Sequence, residues 1–278
     1  MQQGDADRGR SIVERPGVGI TARVVQRNTL RFVRVRCDQP TLIFVRSGSK
    51  ILQAGTAEWT ITSGQAVALA AGQSLDITNT TTSHGAYEAH WLVWAPDILA
   101  AFPVDPSIPA LRRAQIVKPD RFFTGAIDRA MEAIGETHRL SADVARHRMT
   151  EVLLWLSDTD IRFDAAPPPK LDQKVRLLLN GKLGHDWKAV EIAAELAMSE
   201  ATLRRHLAAV GTSFGDILVD ARMAMAMQLL QSTNQPISHI AYNVGYASAS
   251  RFAMRFRDRF GFAPTAIRGH KRATARLP

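Results

Sequence analysis

Cysteine occurs once in the 278 residues, at Cys37. One thiol can neither close an intrachain disulfide nor fill a multi-cysteine zinc pattern, so a reducing, cytoplasmic setting is expected. Long apolar runs are missing too, and nothing approaches the roughly 20 residues of a membrane span. The first residues, with Gln2, Asp5, Asp7, Arg8 and Arg10, carry charge where a secretory leader needs an apolar core, so none is expected. No Gly-x-Ser-x-Gly elbow occurs, and Cys37 has no recognisable catalytic partner, which argues against nucleophilic hydrolysis.

What the chain does have is an uneven positive charge. Its formal net charge is +9, with 46% hydrophobic and 22% charged residues, the balance of a globular protein with room for two domains. Residues 171–278 hold 15 Lys+Arg against 8 Asp+Glu, whereas the first 170 residues hold 20 against 18. A basic C-terminal part beside a nearly neutral N-terminal part predicts a nucleic-acid module attached to something else.

Residues 1–16 read as a polar, flexible arm. From Gly19 to Trp94 short segments rich in Val, Ile, Thr and Trp predict strands at Thr41–Arg46, Ile51–Ala54, Glu58–Thr62, Ala66–Ala70, Leu75–Thr80 and Tyr87–Trp94. Gly48, Gly55, Gly64 and Gly72 punctuate them every 7 to 9 residues, the rhythm of a small antiparallel barrel or sandwich. Two amphipathic helices follow, Pro119–Gly135 and Ser141–Ser157, which suit either core packing or a dimer surface. Asp164 and three prolines, Pro167, Pro168 and Pro169, then mark a linker over 164–170, because consecutive prolines hold the backbone extended. The domains expected are therefore 17–163 and 171–278.

The second domain contains one structural unit twice. In the first copy, Val190, Ile192, Ala193 and Leu196 predict a helix with one buried face, and Ser199 caps a second helix in which Leu203 and Leu207 face the core. Ala201, Arg204, Arg205 and Ala208 then share the opposite face. In the second copy, Ile237, Ile240, Ala241 and Val244 form the first helix, Gly245 ends it, and Ser248 caps the next. Phe252, Phe256 and Phe260 recur as its buried stripe. Ser250, Met254 and Arg257 lie opposite, flanked by Arg251, Arg255 and Arg259. Between the copies Phe214–Gln231 reads as one helix of about 27 Å. A spacer of that size can hold two recognition helices roughly one DNA turn, about 34 Å, apart.

From Leu171 to about Gly269 the sequence resembles the AraC/XylS family of transcription regulators. The residues that carry the likeness are Ile192-Ala193-Ala194-Glu195-Leu196, Met198-Ser199, Leu203-Arg204-Arg205 and Gly211-Thr212-Ser213-Phe214. In the second half they are Pro236-Ile237, Ile240-Ala241, Val244-Gly245-Tyr246, Ser250-Arg251-Phe252, Phe256-Arg257, Phe260-Gly261 and Pro264. The resemblance implies that Ala201, Arg204 and Arg205 read bases from the first unit. It puts Ala249, Ser250 and Met254 at the corresponding places of the second, with Arg251, Arg255 and Arg257 on the DNA backbone. Ala249 and Met254 offer no hydrogen-bond donor, so the second unit should grip more than it reads.

The N-terminal half is more faintly similar to that family's cupin-like sensing domain. Ser63-Gly64-Gln65 stands where a Pro-Gly-Asp turn is usual, and the metal-binding histidines of enzymatic cupins are missing. His84, Glu88 and His90 are the nearest cluster. No metal, no other cofactor and no catalytic residue is expected.

The fold class implied is α+β. A cupin-like β-barrel with a helical dimerisation region would precede an all-α domain of two helix-turn-helix units. The function implied is a DNA-binding transcription regulator, an activator acting as a homodimer with double-stranded DNA and RNA polymerase as partners. A small-molecule effector would act through the barrel at a site the sequence does not identify. For a fatty-acid-like effector, Arg31, Arg34 or Lys50 could supply the cation. The rival reading is a cupin-type metal-dependent enzyme with a helical appendage, which would need His/Glu ligands clustered in the barrel.

Overall fold

A computed structural model of the chain describes residues 11–83, 85–103, 105–164 and 170–267, the side chains of Arg34 and Ser232 excepted. The expected linker residues 165–169, His84 and the C-terminal residues from 268 lie outside the described set. The chain divides into two compact units, the change falling between residues 167 and 168.

The N-terminal unit opens with β1 (Ser11–Arg15), β2 (Gly19–Gln26), β3 (Leu30–Cys37), β4 (Thr41–Ser47) and β5 (Ser49–Ala54). Next come β6 (Ala57–Thr62), β7 (Ala66–Leu69), β8 (Gln73–Thr80) and β9 (Tyr87–Trp94). Helix α1 (Pro96–Ala101), strand β10 (Ala114–Val117) and helices α2 (Arg121–Gly135) and α3 (Ala142–Ser157) complete it. Strand β1 is a departure from the arm expected over 1–16: all five of its residues pair with β2, Ser11 opposite Arg23 and Arg15 opposite Gly19.

The expected barrel is not closed. The strands form two antiparallel sheets, one ordered β1-β2-β9-β4-β7-β10 and the other β3-β8-β5-β6. Closure would need outer strands of one sheet to pair with those of the other. Instead the β1 edge is covered by a helix: buried Arg15 donates to Ala133 O near the C-terminal end of α2 and to Leu140 O in the α2–α3 connection, each at 2.6 Å. The chain changes sheets between β4 and β5 across Gly48 alone, whose φ is +78°. A Cβ there would sit 2.3 Å from Thr80 O, so this corner needs glycine.

Strand β4 explains the layering. Leu42, Ile43, Phe44 and Val45 are all buried, the continuous apolar run of a strand covered on both faces. Leu42 and Phe44 join Ala68, Leu92 and Trp94 in a core with Ala126, Ile127 and Ala130 of α2 and Met149 and Val152 of α3. Ile43 and Val45 point the other way by strand alternation. Asp120 caps α2, accepting from Phe122 N and Phe123 N, and Ser141 caps α3, accepting from Val144 N. The faces of α2 and α3 are thus largely used on the sheet, leaving Phe122, Val144 and Leu154 exposed.

The C-terminal unit is helical: α4 (Leu171–Leu179), α5 (Ala189–Glu195), α6 (Glu200–Ala209), α7 (Phe214–Ser232), α8 (Ile237–Asn243), α9 (Ala249–Phe260) and α10 (Pro264–Ile267). Val175 and Leu179 of α4 pack with Ile192, Leu203, Leu207 and Ile217 in the first core. In the second copy the phenylalanine stripe is fully packed, with ring centroids 5.6 Å apart for Phe252–Phe256 and 4.6 Å for Phe256–Phe260. Helix α7 buries apolar residues on two faces. Ile217, Leu218, Ala221 and Met225 meet the first core, while Met223 and Ala226 are buried on another face.

Candidate nucleic-acid interface

Both units turn from first to second helix by the same backbone device. After α5, Ala197 N donates to Ala194 O and Met198 N to Ala193 O, both at 3.0 Å. After α8, Gly245 N donates to Tyr242 O and Tyr246 N to Ala241 O, both at 2.9 Å. This is the Schellman arrangement, which places the residue after the helix cap in the left-handed region. Ala197 has φ +54° and Gly245 φ +85°. Ser199 and Ser248 then start α6 and α9, accepting from Thr202 N at 3.1 Å and Arg251 N at 3.4 Å.

The turn leaves one face of each second helix uncovered. Helix α6 buries Leu203 and Leu207 and exposes Ala201, Arg204, Arg205 and Ala208. Helix α9 buries Phe252, Phe256 and Phe260 and exposes Ala249, Ser250, Arg251, Met254, Arg255 and Arg257. Every residue expected at a DNA surface therefore lies on an open helix face.

Arg259 does not. It is the arginine of α9 nearest the phenylalanine stripe, and its Nε donates to Asp220 Oδ1 of α7 at 2.9 Å. Arg204 is 73% exposed in its side chain, with Nη2 2.6 Å from Glu200 Oε1 one turn earlier. Arg205, Arg251, Arg255 and Arg257 form no ion pair among the described residues.

Helix α7 holds the two units together with residues that the sequence pattern did not single out. Asp220 receives Arg259 from α9 and lies 3.6 Å from Arg176 Nη2 of α4. Two residues on, Arg222 donates to Leu183 O at 3.1 Å and His185 O at 2.9 Å, and its guanidinium stands 5.9 Å from the Tyr246 ring centroid. Gly245 fits under this arginine; a Cβ would come within 2.6 Å of both Leu183 O and the guanidinium carbon. One signal was available: Asp216, Asp220 and Arg222 are the only charged residues of α7.

The N-terminal unit places its candidate residues differently. Glu88 accepts from Arg23 Nε at 2.8 Å, which holds its carboxyl below the usual range. His90 Nε2 lies 3.3 Å from Glu88 Oε1 without hydrogen-bond geometry, and burial pushes its pKa down. Arg46 beside His90 is itself paired with Asp128 of α2. Glu88 and His90 thus belong to an ion-pair network, and among the described residues no group of three or more His, Cys, Asp or Glu is arranged around a metal-sized site. Arg31 is exposed and paired with Asp76 at 3.1 Å. Lys50, by contrast, is 1% exposed and donates to Asn79 Oδ1 at 2.7 Å, with burial pushing its pKa down to about 7. Asn79 Nδ2 donates in turn to Gln26 Oε1 at 3.1 Å.

A family model described as a helix-turn-helix domain matches residues 192–270, which spans both units. Over 97 residues the chain is 34% identical to the transcriptional regulator GadX of Escherichia coli K12, covering 35% of this chain and 35% of that protein. Over 94 residues it is 40% identical to YdeO of Shigella flexneri, covering 34% and 37%. The C-terminal domain is an AraC-type helix-turn-helix domain. The match to these relatives spans well under half of their length. Across the chain the fold is similar to that of ToxT from Vibrio cholerae in an unsaturated-fatty-acid-bound form. The TM-score is 0.64 at 16% identity, covering 93% of this chain and 99% of ToxT. That likeness is one of fold, and it extends beyond the AraC-type domain to the two-sheet unit. No helix among the described residues is long and apolar enough to cross a membrane.

Proposed function

We propose that the protein is a sequence-specific, DNA-binding transcription regulator of the cytoplasm rather than a cupin-type enzyme. The observation that carries this is the pair of capped second helices, α6 and α9, each offering an uncovered cationic face from one helical domain. Arg204 and Arg205, with Ala201, would meet base edges in one major-groove segment. Ala249, Ser250 and Met254 would face the next, with Arg251, Arg255 and Arg257 on phosphates. The test is selection of binding sequences by the full chain from a random duplex library at about 0.15 M salt. Enrichment of a bipartite motif spanning about one DNA turn is expected. Recovery of unenriched DNA, or of none, would overturn the reading.

The N-terminal unit would supply regulation. Its two-sheet fold resembles that of ToxT, which binds an unsaturated fatty acid, and buried Lys50 offers an amine that a carboxylate would charge. A fatty-acid-like effector is therefore the class to try first. Absence of any thermal shift on adding long-chain acids would remove it. Exposed Phe122, Val144 and Leu154 on α2 and α3 suit a homodimer, which sedimentation velocity of the full chain over a concentration series reads directly. Activation would further require RNA polymerase, which transcription in a purified system tests.

A further inference from the structure

Of the exposed arginines on the two second helices Arg204 alone is held in an ion pair among the described residues, and it is held by one acid. Glu200 is the first residue of α6, directly after its capping Ser199, and it holds Arg204 at 2.6 Å. In α9 the residue directly after the capping serine is Ala249, the first turn contains no acid, and Arg251, Arg255 and Arg257 have no ion pair among the described residues. We propose that Glu200 is a specificity-determining positioning residue. It keeps the Arg204 guanidinium off the DNA backbone and reserves it for a guanine edge. This rests on the DNA-binding reading above.

The argument begins with where α6 points. In a docked helix-turn-helix the N-terminal residues of the second helix enter the groove, so Glu200 would bring a carboxylate in among phosphates. A negative charge in a first turn suits the helix dipole, but that role does not require contact with Arg204. The observed contact adds a leash, in the favourable order with the acid four residues before the base. An unleashed arginine on an exposed helix can swing to the nearest phosphate and add affinity for any sequence. A leashed one would carry the Glu200 carboxylate against that phosphate.

A guanine makes no such demand. Its O6 and N7 are neutral acceptors, and a guanidinium has five N–H donors, so Arg204 can meet both while Nη2 stays with Glu200. The leash costs little on guanine and much on phosphate. Discrimination then comes from a repulsive element as well as an attractive one. The unleashed arginines of α9 do the opposite and favour DNA of any sequence.

The experiment uses the full chain as wild type, Glu200→Ala and Glu200→Gln, each shown to be folded by thermal unfolding. Affinities are measured over a salt series on the duplex selected by the wild type and on a random duplex. Expected is a rise in random-duplex affinity of about three- to tenfold in both variants, with a salt dependence steeper by about one unit. Preference for the selected duplex falls with it. On an Arg204→Ala background, Glu200→Gln leaves the salt slope unchanged. Unchanged random-duplex affinity and slope, or parallel loss on both duplexes, would overturn the proposal and reduce Glu200 to a helix-end charge. A wild type that prefers no sequence overturns instead the underlying DNA-binding reading, before any variant is made.

Discussion

The carboxylate of Asp220 on α7 accepts a hydrogen bond from Arg259 Nε on α9 at 2.9 Å. The same carboxylate lies 3.6 Å from Arg176 of α4, so one side chain of the connecting helix links the second helix-turn-helix unit to the helix that packs in the core of the first. The two arginines are largely covered, with side-chain exposures of 16% and 17%, while Asp220 is at 36%. Asp220→Ala would leave two covered guanidiniums without their shared acceptor. Charged hydrogen bonds of this kind contribute about 1.5–3 kcal/mol, and partial exposure of the acid lowers that to about 1–2 kcal/mol. Urea unfolding of the variant measures the loss; an unchanged midpoint would show that water replaces the carboxylate. A bipartite duplex with one or two inserted base pairs should also be rejected less strongly by the variant than by wild type.

The paired turns make a second prediction. Ala197 and Gly245 occupy equivalent left-handed positions, but only one of them is glycine. An L-residue there costs about 1–2 kcal/mol, and glycine's extra freedom in the unfolded chain returns part of it. Ala197→Gly should therefore raise the stability of the C-terminal domain by about 0.5–1 kcal/mol. Gly245→Ala should lower it by more than 2 kcal/mol, because its Cβ meets Leu183 O as well as an unfavourable φ. Thermal unfolding of the two variants would show shifts of opposite sign; shifts of the same sign refute the equivalence.

Arginines of the two units should separate in DNA binding. Arg204→Ala should cost about 1–3 kcal/mol on the preferred duplex and much less on random DNA. Arg255→Ala should weaken all sequences alike and reduce the salt dependence by about one unit. Equal losses on both duplexes for Arg204→Ala would make it another phosphate contact. An unchanged salt slope for Arg255→Ala would remove that residue from the DNA backbone.

Lys50 predicts an alkaline stability gradient. Its pKa falls from an ordinary 10.5 to about 7 on folding because burial disfavours the ammonium. Between those values the unfolded chain binds the proton and the folded chain does not, so stability falls as pH drops from 10.5 towards 7. Below about 7 the full penalty is present, of order 5 kcal/mol at about 1.4 kcal/mol per unit. Tyr87, whose ring lies 5.4 Å from Lys50 Nζ, titrates above this window because burial raises its phenol pKa. Lys50→Met should flatten the gradient and stabilise the N-terminal unit near pH 7. A wild-type curve flat from pH 7.5 to 9 would contradict the buried amine; above 9 the buried Cys37 thiol, pushed up to about 11, works in the opposite direction.

Local pattern was enough for the helical domain. The spacing of Leu203 and Leu207, and of Phe252, Phe256 and Phe260, defines the buried faces of α6 and α9, and Ser199 and Ser248 mark their starts. Those choices depend only on helical period and on capping chemistry within a few residues, so the exposed set from Ala201 to Arg257 was legible without a structure. Strands rich in Val and Ile with glycine turns were legible for the same reason. Their pairing was not, because hydrogen bonds between strands distant in sequence leave no local mark.

By itself, then, the sequence determined two helix-turn-helix units, the exposed faces of their second helices and a strand-rich first domain. Tertiary structure decided that the strands form two open sheets, with Arg15 turned onto α2 at one edge. It also decided which arginines stay available. Arg255 and Arg259 are four apart on one helix, yet Asp220 of α7 claims only Arg259. Lys50 lies in a strand whose pattern does not distinguish it from a surface lysine, and only packing removes it from water. In each case the deciding partner comes from a distant segment, and its effect on charge and burial exists only once the chain has folded.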